Sequence, residues 1–161
     1  MSTPVTVGQL TGSAQSGHCC PRSVTLPATG MTLAHASQIA HLLGGRLPTS
    51  SEWEWMAGAG IRLYPWGDHE PDRGGSWANI RGVGPDTITP VGTFPSGATP
   101  EGVLDVAGNV WEWTSTPAGI GYVVRGGSYR AVALYAQCTF ANEVPATLSS
   151  PGIGVRVVRE P

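Results

Sequence analysis

The sequence predicts a single loop-rich α+β domain with short strands and a few helices. Two observations carry this prediction. A chain of 161 residues is long enough for one sizeable core and short for two. Its 23 glycines and 14 prolines interrupt it too often for long helices over most of its length.

Charge narrows the partners. All nine basic residues are arginine, which suits buried or bidentate ion pairs better than a solvated cationic face. Net charge is −2 with no basic run, so the footprint of nucleic-acid binding is missing. No run of apolar residues is long enough to span a bilayer, and the start, MSTPVTVGQLTGSAQ, lacks the basic and apolar blocks of a leader. A soluble, cytoplasmic protein without membrane or nucleic-acid partners is expected. The three cysteines form no zinc spacing: Cys19 and Cys20 are adjacent and Cys138 is remote. They read as free thiols, with a pairing of Cys138 to Cys19 or Cys20 as the alternative.

The elements follow in order. In residues 32–43, TLAHASQIAHLL, Leu33, Ala36, Ala40 and Leu43 recur at helical spacing, Thr32 can cap the start and Gly44 ends the helix. A second helix is expected over 50–57, because Thr49 and Glu52 form a capping box after Pro48 and Gly58 provides a stop. Residues 64–100 carry turn after turn (YPWGD, PDRGG, GVGPD, FPSG) and read as loop, held by something other than a core. Short strands are expected at 110–114, 122–126 and 154–158, where β-branched and aromatic residues gather.

Within this frame DVAGNVWEW, residues 105–113, stands out. It sets Asp105 and Glu112 among apolar residues, with Trp111 and Trp113 on either side of Glu112. Carboxylates so placed need partners.

Eight short motifs occur in order: PVTVGQ (4–9), GGRLPTSSEWEW (44–55), YPWGD (64–68), WANI (77–80), PVGTFPSG (90–97), DVAGNVWEWT (105–114), VVRGGSY (123–129) and GIGVRVV (152–158). Together they resemble the formylglycine-generating enzyme, or sulfatase-modifying-factor, family. The resemblance covers nearly the whole chain as one domain, 1–161. It implies a C-type-lectin-like fold with two helices and a small twisted antiparallel sheet, in a minimal member shortened at its N-terminus.

The resemblance also implies sites. It places structural Ca²⁺, a hard cation that takes carboxylate and carbonyl oxygens, on Asp105, Gly108, Val110 and Glu112. A second calcium site would use Asn79, Ile80, Asp86 and Ile88. Backbone hydrogen bonds alone are the alternative for Asp105 and Glu112. Arg46, Glu54, Arg125 and Arg156 are implied as loop-locking ion pairs. The family's copper cysteines fall on Ala131 and Ala136, which cannot bind the metal, so copper oxidase chemistry is not expected. The related iron enzymes take ligands from another domain. No haem or nucleotide is implied.

The implied groove comprises Trp111, Ser128, Tyr129, Arg130, Tyr135, Cys138, Phe140 and Glu143, a mix of aromatic and polar groups suited to a small molecule or peptide. Ordinary packing is the alternative for each. Glu143 is the expected acid-base residue, with Ser128 and Tyr135 as further catalytic candidates and Trp111, Tyr129, Arg130, Cys138 and Phe140 binding substrate. Two readings follow. One is metal-free acid-base catalysis, as in a tailoring step on an amine or aromatic metabolite. The other is a ligand-binding module, since the segment between GGSY and GIGVR is the one that retroelement-diversified relatives of this fold vary. A homodimer is left open.

Overall fold

The computed structural model describes residues 2–10, 24–58 and 60–160. Cys19 and Cys20, with any pairing they make, lie outside the described residues. Among the described residues three α-helices form: α1 (Val7–Leu10), α2 (Leu33–Leu42) and α3 (Ser50–Ala57). Both helices expected from the sequence are present, and α1 is an added single turn. Thr32 caps α2 by accepting from His35 N, and Gly44 follows it in the left-handed region, at φ 74°. At α3 the capping box closes in both directions: Glu52 N donates to Thr49 Oγ1 (3.1 Å) and Thr49 N to Glu52 Oε2 (2.8 Å).

The strands are β1 (Trp111–Ala118), β2 (Gly121–Arg125), β3 (Ala141–Val144) and β4 (Ile153–Gly154), in sheet order β3-β2-β1-β4. The β1–β2 and β2–β3 pairs are antiparallel, but β4 joins β1 in parallel, so the expected antiparallel sheet has one parallel edge. A register shift between Trp113 and Pro117 lets β1 carry a proline, which could not donate to a regular ladder. β3 escapes sequence reading because Ala141, Asn142 and Glu143 are all exposed and show no apolar alternation. The expected strand at 154–158 is shorter than its pattern: past Gly154 the chain continues through single contacts, Val5 N to Val155 O and the Arg46–Val158 bridge.

One face of the sheet meets α2. There Trp113, Val124 and Ile153 pack with Ala36, Ala40, Leu47, Val155 and Val157. The other face meets α3, where Trp53 and Ala57 pack with Val106 and Cys138. The turn-rich 64–100 region differs from expectation in having its own small core. Tyr64, Ala78 and Ile80 pack there with Ala107 and Ala136, and Tyr64 stacks on Trp66 at 5.0 Å. No helix among the described residues is long and apolar enough to cross a membrane.

Candidate functional site

Glu112 and its neighbours hold the sheet to the loops. Glu112 is fully buried, and both of its oxygens are engaged. Oε2 accepts from Trp53 Nε1 (2.7 Å) and Arg156 Nε (2.9 Å), and Oε1 accepts from Arg156 Nη2 (2.8 Å). Arg156 Nη2 also donates to Leu104 O (2.9 Å), tying the turn before β1 into the clamp. Asp105, at φ 54°, accepts from Gly92 N through Oδ2 (2.7 Å), and burial pushes its carboxyl above the ordinary value. Asn109, at φ 62°, exchanges hydrogen bonds with Thr89: Thr89 N donates to Oδ1 (3.0 Å) and Nδ2 donates to Thr89 O (3.0 Å). Gly108 permits this turn, since a Cβ there would lie 2.4 Å from Asn79 O.

The two implied calcium positions differ in fit. At 105–112 the Glu112 carboxylate has no oxygen free while Arg156 and Trp53 hold it, and the Gly108 carbonyl accepts from Val110 N (2.8 Å). This donor set does not fit a cation without displacing the arginine. At the WANI loop, Asn79 is buried and its Nδ2 donates to Thr87 O (2.8 Å), while Oδ1 has no partner among the described residues. Asp86 is exposed in the same loop and Ile88 is half-buried. The carbonyl of Ile80 accepts from Val83 N and Gly84 N. Asn79 Oδ1, buried and without a partner among the described residues, is an oxygen of the kind a hard cation takes, and Asp86 carries a carboxylate in the same loop.

Arg125 organises the groove from beneath. It donates to Ser50 Oγ (2.8 Å) and Glu54 Oε2 (2.7 Å) on α3, and through Nη1 to the Thr139 (2.8 Å) and Phe140 (3.1 Å) carbonyls. The segment thus held sets Phe140 against Tyr135 and Trp111, with ring centroids 4.7 Å apart for Tyr135–Phe140, 6.1 Å for Trp111–Tyr135 and 6.3 Å for Trp111–Phe140. Tyr135 is exposed; Trp111 and Phe140 are half-buried. Beside Trp111 lies a cleft of about 260 Å³, whose lining includes Ser128, Tyr129, Arg130, Asn142, Leu148 and Ser150. Arg130 is exposed and stands over the Tyr129 ring at 5.3 Å.

Six of the eight groove residues named from the sequence therefore come together: Trp111, Ser128, Tyr129, Arg130, Tyr135 and Phe140. Two do not. Cys138 is wholly buried beneath α3, where its Sγ donates to Ala57 O (3.2 Å), and burial pushes the thiol up to about 11. It cannot touch a ligand in the cleft. Glu143 faces the wrong way. In β3 it pairs with Val123, while Asn142 and Val144 on either side of it face the cleft, because successive strand residues point to opposite faces. Its exposed carboxylate accepts from Ile120 N (3.1 Å) at the β1–β2 turn. Glu143 therefore does not share the cleft with Trp111 and Ser128, as the sequence reading expected. Asn142, Leu148 and Ser150 are cleft residues that sequence reasoning misses; recognising β3 as a strand would have exposed the first. Ala136, at the second copper position, lies in the small core with Tyr64, and Ala131 is buried beside the cleft turn.

Comparisons with known proteins agree with this architecture. The family model described as Sulfatase-modifying factor enzyme 1-like domain matches residues 5–161. Hercynine oxygenase of Mycolicibacterium thermoresistibile is 40% identical over 98 residues, covering 56% of this chain and 21% of that protein. Formylglycine-generating enzyme of Bos taurus is 33% identical over 145 residues, 70% of this chain and 38% of the enzyme. Inactive C-alpha-formylglycine-generating enzyme 2 of Mus musculus is 35% identical over 117 residues, 65% of this chain and 38% of that protein. The chain thus spans about a fifth to two fifths of the length of these relatives. Among solved structures, Treponema denticola variable protein 1 (TM-score 0.78, 17% identity) covers 96% of this chain and 81% of its own, and PvdO from Pseudomonas aeruginosa (TM-score 0.78, 21% identity) covers 96% and 77%. At these identities the likeness is one of fold.

Proposed function

The chain belongs to the sulfatase-modifying factor enzyme 1-like family, and from that premise we propose that it is a divergent member whose cleft beside Trp111 binds a small ligand without oxidising it. One observation carries the reading: the cleft is lined by aromatic, hydroxyl, amide and guanidinium groups, with no thiol, imidazole or carboxylate. A bound copper or iron would call for thiolate or imidazole ligands, and proton transfer near neutral pH needs a group that titrates there. With Glu143 on the other face and Cys138 enclosed, the lining offers neither. Binding needs only what is present: an apolar wall with a few convergent polar groups. A C-type-lectin-like binding module is therefore favoured over the acid-base enzyme.

The experiment is a screen of small single-ring compounds against the full chain by amide NMR, with mass spectrometry for products. Shifts clustering at Trp111, Ser128, Tyr135, Phe140 and Asn142, with every compound recovered unchanged, are expected. A cleft silent to the whole set, or formylglycine formed from a sulfatase-type cysteine peptide, would overturn the reading.

Calcium belongs to the same proposal as a structural ion on the Asn79 loop. Asn79 Oδ1 and the Asp86 carboxylate would hold it, and the ion would neutralise Asp86 and brace a loop that has little regular structure. It takes no part at the cleft.

A further inference from the structure

We infer that the cleft selects a small aromatic carboxylate. This rests on the binding reading above and adds the chemistry of the ligand, which follows from which hydrogen-bonding atoms in the cleft are already engaged.

Three side-chain oxygens of the cleft each accept one hydrogen bond already. Ser128 Oγ accepts from Arg130 N (3.4 Å) and Ser150 Oγ from Gly152 N (3.2 Å), while Asn142 Oδ1 accepts from Glu143 N (3.0 Å). The two serine hydroxyl protons and the Asn142 amide NH₂ have no acceptor among the described residues. Arg130 has no carboxylate partner among them either: the ion pairs there are Arg46 with Glu52 and Glu160, Arg62–Glu101, Arg125–Glu54 and Arg156–Glu112. No aspartate or glutamate lines the cleft. The cleft therefore presents hydroxyl, amide and guanidinium donors around one uncompensated positive charge.

A neutral sugar would leave the Arg130 charge without a partner. An ammonium would meet Arg130 with no carboxylate to offset the repulsion. Guanidinium pairs with carboxylate or phosphate oxygens, but a phosphate dianion against one cation would leave a charge uncompensated in a half-enclosed site. A monoanionic carboxylate matches both the charge and the donors. The remainder of the ligand is set by the wall: Trp111 and Tyr129 line the cleft with Leu148 and Val144, while Tyr135 and Phe140, outside the lining, pack against Trp111. At about 260 Å³ the cleft accommodates one ring with a short acid arm rather than a nucleotide or an oligosaccharide.

The test titrates the full chain with 4-hydroxyphenylacetate and with tyramine, which share a phenol ring and differ in arm charge, reading tryptophan fluorescence and amide NMR shifts. The acid should bind at least about tenfold more tightly than the amine, and that preference should shrink as salt is raised. Arg130→Gln, at an exposed position, should fold normally and abolish the difference, and Trp111→Ala should weaken both ligands together. Tyramine binding equally or more tightly at cleft residues would sink the carboxylate assignment and leave the binding reading standing. Undiminished acid preference in Arg130→Gln would sink it likewise. Silence from both phenols overturns this inference, and silence from the wider screen overturns the binding reading with it.

Discussion

Glu112 is fully buried with Arg156 1% exposed, and removing one partner of such a pair leaves the other's charge stranded. Glu112→Gln keeps the size and an acceptor for Trp53 but leaves Arg156 uncompensated. We expect a loss of about 3–5 kcal/mol, the range for broken buried pairs, and a fall in melting temperature of about 10 °C or more for a chain of this length. A melt within a few degrees of the parent protein would contradict this. The sequence makes the need for a partner legible, because two carboxylates sit among tryptophans and valines. It does not reveal which partner, since Arg156 lies 44 positions away and carries no local mark of its role. The same limit applies at the cleft. Aromatic residues near GGSY point to a groove by resemblance, but the side on which Glu143 falls depends on a strand parity that its exposed sequence does not display.

Helix α3 reads correctly from sequence because its signals are local: cap, box and glycine stop lie within ten residues. Strand β3 has no such signals, since it forms only by pairing with β2. The α3 cap also gives a pH dependence. The Arg46 guanidinium (2.7 Å) and the Thr49 N–H hold the Glu52 carboxyl down at about 2, from an ordinary value of 4.5. A depressed folded-state pKa contributes stability that is fully present above the unfolded value and is lost as pH falls through the folded one. The loss from Glu52 should therefore run from about pH 4.5 down to about 2. The pair is well exposed, so screening limits its contribution to roughly 1 kcal/mol. Urea unfolding of Glu52→Gln should differ most from the parent protein at pH 6–7 and converge with it near pH 2. A gap that persists at low pH would contradict this. Asp105 has the opposite sign: its carboxyl is raised by burial, so protonation favours the folded state and cannot explain acid unfolding.

At the scale of the whole molecule, the described residues form three separate hydrophobic clusters joined by much irregular chain, a structure whose stability should respond to any ion that bridges loops. If calcium binds the Asn79 loop of the native state only, excess Ca²⁺ raises the melting temperature by linkage. At a hundredfold excess over the dissociation constant the gain is about 2.7 kcal/mol. The effect should vanish in Asp86→Asn while the Glu112 clamp, which needs no ion, stays intact. Identical melting curves in calcium and in chelator would remove the site.

The clamp has a further consequence, for a chain that emerges from its N-terminus onward. Its three members are far apart: Trp53 and Glu112 are separated by 59 positions, and Glu112 and Arg156 by 44. Between them they close much of the chain into loops, the kind of topology that folds slowly. At 5–20 residues per second, Glu112 waits roughly 2–9 s after its own synthesis before its counter-ion exists. Until then, burying that carboxylate costs several kcal/mol, offset only by the hydrogen bond from Trp53 Nε1. We therefore expect the nascent sheet to close onto α3 only once Arg156 is present. Locking of the core would then wait for the arginine in GIGVRVV, leaving a partly made chain open until it arrives.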